Sequence, residues 1–85
     1  MTDLDARFKQ AADEAQQLPE RPDNDTILTL YALYKQGSQG DVAGDKPGFF
    51  DFIGVAKYEA WEKCAGMPQD EAKQKYIELV DSLKA

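Results

Sequence analysis

Apolar residues return along this chain with the period of a helix. Leu4, Phe8, Ala11, Ala12, Ala15 and Leu18 fall on one stripe, and Asp3, Asp5, Lys9, Asp13 and Glu14 occupy the remaining positions. That spacing predicts an amphipathic first helix. Leu18-Pro19 ends it, because a residue before proline is pushed out of the α region. Arg21-Pro22-Asp23-Asn24 reads as a linker whose Asp and Asn supply N-caps for the next element.

The second helix is predicted from Asn24 to Gln36, and its apolar arc is broad. Ile27, Leu30, Tyr31 and Tyr34 share one side, while Leu28 and Leu33 extend the coverage round the helix. An arc this wide implies contact with at least two neighbours, or with neighbours and a ligand. A long break follows from Gly37 to Asp51, punctuated by Gly37, Gly40, Gly44, Pro47 and Gly48. Loops of such length are often functional or packed on themselves. Phe49, Phe50 and Phe52 close it, and at least two of these rings are expected to fold back onto the core.

A third helix is predicted from Ile53 to Cys64, with Ile53, Ala56, Lys57, Ala60, Trp61 and Cys64 on one face and Gly66 as its terminator. Pro68 stands at or beside the start of the last helix, where its missing N–H costs nothing, and Asp70 and Glu71 suit the positive end of the helix dipole. Ala72, Tyr76, Leu79, Val80 and Leu83 form the final stripe. Nothing reads as a strand or a repeat. The expectation is one domain over residues 1–85, an all-α bundle of four helices with two short connections and one long one.

Charge narrows the function. The chain has 10 Lys+Arg against 16 Asp+Glu, a net −6, and no histidine. An acidic chain is a poor partner for nucleic acid, whose phosphates require many cations, and for an anionic membrane surface. Without histidine, the commonest general base near neutral pH and the commonest metal ligand are both missing. With neither a secretory signal pattern nor a transmembrane run, and with a single cysteine, a cytosolic protein without stable membrane insertion is expected.

Several weak signals yield to plainer accounts. The loop glycines lack the G-x-x-x-x-G-K-[ST] pattern and a preceding strand, so they do not make a phosphate loop. Asp23, Asp25, Asp41 and Asp45 lack the glycine and glutamate of a calcium loop and are expected to be solvated turn carboxylates. Cys64 has no histidine to activate it and is expected to act as a small buried hydrophobe. The adjacent carboxylates Asp13/Glu14 and Asp70/Glu71 point to different sides of their helices. Neither a catalytic residue, a metal site nor a cofactor is expected.

The stronger signal is Leu30-Tyr31-Ala32-Leu33-Tyr34-Lys35-Gln36. Tyr31, Tyr34 and Lys35 stand at i, i+3 and i+4, Lys57 and Trp61 form a second i, i+4 pair, and Tyr76 lies on the last helix. These aromatics could be core, with lysine stems covering them at the edge. The other reading is an anionic ligand with an aromatic part, since phenols and ammoniums donate to phosphate and a ring can stack on a base. A third option is a protein-interaction module that offers an apolar groove to a partner helix.

That segment, followed by Gly40-Asp41, Pro47-Gly48-Phe49-Phe50-Asp51, Gly54-Val55-Ala56-Lys57-Tyr58-Glu59-Ala60-Trp61 and Tyr76-Ile77, resembles the acyl-CoA-binding protein family at matching spacing over nearly the whole chain. The resemblance implies an up-down-down-up four-helix bundle with the long loop as its crossover. It implies a non-catalytic cytosolic carrier, a monomer, that binds medium- to long-chain fatty acyl-CoA and meets acyl-CoA-using enzymes. By motif position, Tyr31, Tyr34, Lys35 and Lys57 would contact the nucleotide head, chiefly its 3′-phosphate, and Tyr76 would add a further contact. Phe8, Ala12, Ile27, Leu28 and Ala56 would border the channel for the acyl chain. Gln16 and Val55 stand where many family members carry lysine, Tyr58 where they carry tryptophan, and Pro68 where they carry serine.

Overall fold

The structure, a computed structural model, describes residues 3–84. Four helices are present, α1 (Asp3–Ala15), α2 (Asn24–Gln39), α3 (Phe52–Glu62) and α4 (Gln69–Leu83), and no strand occurs among the described residues. They form an all-α bundle in up-down-down-up order. The α2–α4 pair is central: α1 packs on α4, and α3 packs on α2. The core joins Phe8 and Ala11 of α1 to Leu33 of α2 and Tyr76, Ile77 and Val80 of α4. Ile77, outside the predicted stripe, is among its most buried members.

Local chemistry sets the ends. The α1 helix stops at Ala15, before Leu18, because the chain tightens into i→i−3 bonds from Gln16 N to Asp13 O (3.2 Å) and Gln17 N to Glu14 O (2.9 Å) on approaching Pro19. Asp23 caps α2 by accepting from Thr26 N at 2.8 Å, and hydrogen bonding from Thr26 holds its carboxyl below the usual range. Asp51 caps α3 by accepting from Gly54 N at 3.0 Å.

Gly37 does not break α2, which runs on to Gln39 and closes at Gly40 with φ 84°. A Cβ on Gly37 would stand 3.0 Å from Lys73 Cγ and 3.2 Å from Phe8 Cζ. The glycine therefore lets α2 approach α4 and α1 closely. At its other end α3 stops at Glu62, and Cys64 sits in the turn that leads to Gly66, φ 89°.

The phenylalanines depart most from expectation. Phe49, Phe50 and Phe52 all face solvent and none folds onto the core. Polar contacts anchor the loop in their place. Tyr58 donates to Gly44 O at 3.1 Å, Lys46 pairs with Glu59 at 2.8 Å, and Trp61 Nε1 donates to Gly40 O at 2.8 Å. With the loop tied from α3, the rings have no need to fold inward.

Candidate functional site

The site is built around α2, whose two flanks hold different chemistry. Towards α3, Tyr31 lies close to two ammonium groups. Lys57 Nζ lies 5.3 Å from its ring centroid and Lys35 Nζ 5.9 Å from it, and Lys35 Nζ also lies 5.1 Å from the Trp61 ring. Among the described residues, neither lysine pairs with a carboxylate, although the chain carries sixteen acidic residues. Ring faces attract cations by about 0.5–1 kcal/mol at exposed sites, which offsets part of the repulsion between two like charges and leaves their N–H donors free.

On the α1 and α4 side, Tyr34 belongs to a cluster of rings. It stacks on Phe8 with centroids 5.3 Å apart, and lies 5.7 Å from Tyr76, which meets Phe8 edge-on at 5.3 Å. Tyr34 remains 40% exposed, so one face is available. Burial, with a smaller effect from Tyr34, pushes the Tyr76 phenol above its ordinary value. Tyr76 is therefore neutral and a donor at physiological pH.

A cleft of about 330 Å³ between α1 and α2 is lined by Ala12, Ala15, Leu30, Tyr31, Tyr34 and Tyr76, with Gln16 at its edge. It is continued towards Ile27 by a second depression of about 400 Å³ that shares Ala15, Gln16 and Leu30. Between α2 and α3 lies another cleft of about 480 Å³, in which Leu28, Ala32, Leu33, Ala56 and Ala60 form the apolar lining. The anticipated residues thus gather around one helix without sharing one cavity. Tyr34, Tyr76, Ala12 and Ile27 belong to the α1 side, Leu28 and Ala56 to the α3 side, and Tyr31 lines the α1 cleft while also meeting Lys57 of α3. Lys35 and Lys57 flank Tyr31, while Phe8 is buried in the ring cluster.

Three contributors were absent from the expected set. Trp61 was paired with Lys57 by spacing, but it is Lys35 that lies over its ring. Gln36 is fully buried and donates to Asp41 Oδ1 (2.9 Å) and Met67 O (2.8 Å). Asp41 also accepts from Gly66 N at 2.9 Å. Asp41 is therefore a clamp between the end of α2 and the α3–α4 turn, in place of the free turn carboxylate expected. Bonds from Gly66 and then Gln36 hold its carboxyl below the usual range. The Gly40-Asp41 pair was visible in sequence, but only packing brings Gly66 to it. Clamping the residues that follow Lys35 sets where Lys35 and Trp61 meet.

Cys64 is half-buried, donates weakly to Ala60 O at 3.8 Å, and has its thiol pushed up by burial. It is a poor nucleophile. No cluster of potential metal ligands occurs among the described residues.

Comparison with known proteins decides the lineage. The family model described as "Acyl CoA binding protein" matches residues 5–80. The chain belongs to the acyl-CoA-binding protein family. "Acyl-CoA-binding protein homolog 1" of Caenorhabditis elegans is 46% identical over 78 residues, covering 92% of this chain and 91% of that one. The crystal structure of Oryza sativa Acyl-CoA-Binding Protein 2 superposes with a TM-score of 0.89 at 36% identity, over 94% of this chain and 89% of the other. The domain also occurs inside larger family members. "Enoyl-CoA delta isomerase 2" of Rattus norvegicus is 41% identical over 78 residues, covering 92% of this chain but 20% of that protein. No helix among the described residues is long and apolar enough to cross a membrane.

Proposed function

We propose that residues 1–85 act as a single domain that binds medium- to long-chain fatty acyl-CoA and carries it without catalysis. The observation that carries this reading is the pair of ammoniums 5.9 and 5.3 Å from the Tyr31 ring centroid, without a carboxylate partner among the described residues of an acidic chain and near apolar clefts. Lys35 and Lys57 take the nucleotide phosphate, with the Tyr31 hydroxyl as a further donor. Tyr34 and Tyr76 offer ring and hydroxyl to the base and ribose. The acyl chain runs along the α2–α3 cleft over Leu28 and Ala56, which shields the thioester from water by burial alone. Gln16, just past the end of α1, can donate a neutral hydrogen bond to the head group but no charge.

Magnitudes agree with such a role. Ten buried methylenes contribute about 8 kcal/mol, and two charge-assisted bonds about 1.5–3 kcal/mol each. Ordering the ligand costs at least about 4 kcal/mol, which leaves at most roughly 7–10 kcal/mol, or micromolar to tens-of-nanomolar affinity. The chain then acts in the cytosol as a monomer that hands ligand to acyl-CoA-using enzymes.

Calorimetry tests the reading. Palmitoyl-CoA should bind far more tightly than CoA or palmitate alone, and removal of the 3′-phosphate should weaken the ester. Palmitate equal to its CoA ester, or dephospho-CoA ester equal to its parent, would refute the head-group assignment. Release of free thiol from palmitoyl-CoA on incubation would refute the absence of catalysis.

A further inference from the structure

Glu59 belongs to two clefts at once. The α2–α3 cleft of about 480 Å³ and a cleft of about 540 Å³ beside the loop share Ala56 and Glu59, which lie one turn apart on α3. Beyond that shared edge the lining is again apolar, with Pro47, Phe49, Phe52 and Val55. Lys46 lines the second cleft too and reaches back to Glu59 at 2.8 Å, so an ion pair stands where two apolar spaces meet. The hydrogen bond from Lys46 holds the Glu59 carboxyl below its usual range, and both partners are charged at neutral pH.

The pair can part without undoing the loop. Trp61 and Tyr58 fix the chain at Gly40 and Gly44, both before Lys46. After it, Asp51 N donates to Gly48 O at 2.9 Å in the turn that leads into α3. Separation of Lys46 from Glu59 therefore frees only residues 45–47, and glycines flank them, Gly44 with φ 88°. Both partners are half-exposed, and an ion pair of that kind is weak. Two buried methylenes outweigh it.

We propose, resting on the acyl-CoA reading and its α2–α3 path, that the Lys46–Glu59 pair is the stop at the end of the acyl groove and so sets the chain length this protein prefers. A methylene fills about the space of a water molecule, roughly 30 Å³. The α2–α3 cleft of about 480 Å³ then holds on the order of sixteen carbons, a palmitoyl chain. A shorter chain ends before the pair and gains affinity with every carbon. A longer one meets the charged bridge and has to part it to reach the apolar space beyond. Parting it offsets much of what the next two carbons contribute, because Lys46 and Glu59 lose each other as the chain gains burial.

Displacement calorimetry of the full chain with lauroyl-, myristoyl-, palmitoyl- and stearoyl-CoA tests the stop. Wild-type affinity should rise about fourfold per carbon up to palmitoyl. The step from palmitoyl to stearoyl should shrink from the roughly fifteenfold of two unhindered carbons to about threefold. In Lys46→Met/Glu59→Gln, where both charges are gone, that step should recover to about fifteenfold. Lys46→Arg keeps the pair and should follow wild type. Lauroyl-CoA affinity and the helix signal in circular dichroism should agree among all three proteins, which separates a stop from lost folding or a lost head-group contact. A palmitoyl-to-stearoyl step that the double substitution leaves unchanged, or a loss spread equally over every length, overturns the stop and leaves the carrier reading standing. Failure of the wild type to bind lauroyl- and palmitoyl-CoA removes the carrier reading, and the stop with it.

Discussion

Tyr31 and Tyr34 lie one helical turn apart on α2, yet they serve opposite surroundings. Tyr34 faces Phe8 and Tyr76, neutral rings in mutual contact against the core. Tyr31 faces Lys35 and Lys57, two like charges held beside its ring with no carboxylate paired to them among the described residues. The ring cluster is what a stable fold requires, since each contact in it lowers the free energy of the chain alone. The cation cluster stabilises the chain little, and in the proposed function an added anion completes it. Residues that do little for the fold but hold a fixed arrangement are the ones that report function.

The comparison breaks first, and most heavily, at Tyr76. Tyr76→Ala should cost about 3–5 kcal/mol of stability, most of what a small domain has, and thermal unfolding followed by circular dichroism would register it. An unchanged melting temperature would mean that the ring cluster is not core. Next come Lys35→Ala and Lys57→Ala. Each should weaken palmitoyl-CoA binding roughly 10- to 150-fold, the equivalent of about 1.5–3 kcal/mol, while moving the melting temperature little. A variant that lost stability and kept affinity would reverse the assignment.

Gly37→Ala probes the junction where α2 meets Phe8 and Lys73. Crowding at 3.0–3.2 Å should outweigh the better helix propensity of alanine and destabilise the chain by about 1 kcal/mol, as urea denaturation would show. The smallest effect is electrostatic. The Tyr76 phenol titrates higher in the folded chain than in the unfolded one, so its contribution is complete below the ordinary tyrosine value of about 10 and is lost as pH rises through the folded value. Stability should therefore decline from about pH 10 upward, and Tyr76→Phe should flatten that arm. An identical decline in the phenylalanine variant would place its cause elsewhere.

Helical periodicity was enough to count the elements and find the central stripe, because a buried face must repeat with the helix. The Asp23-Asn24 pair located the start of α2, since a cap acts on the backbone beside it, and the apolar face placed the start of α3 within a residue. Glycine was harder to read. Gly37 and Gly40 look alike in sequence, yet one sits inside a helix because a neighbour leaves no room for Cβ, and the other ends that helix with a positive φ. The phenylalanines failed for a related reason. Hydrophobicity predicts burial only when no other group holds the segment, and Tyr58, Lys46 and Trp61 hold this one.

The sequence by itself determined that this chain is helical, acidic and single-cored, and that two tyrosines and a lysine share a stretch of α2, because these follow from spacing and composition within a few turns of chain. Tertiary structure alone decided that Lys57 comes to Tyr31, that Lys35 and not Lys57 meets Trp61, and that Asp41 ties α2 to the turn before α4. Those contacts join residues far apart along the backbone. Their geometry depends on how closely helices approach and on which polar group reaches a backbone N–H first, and neither is encoded in the local pattern.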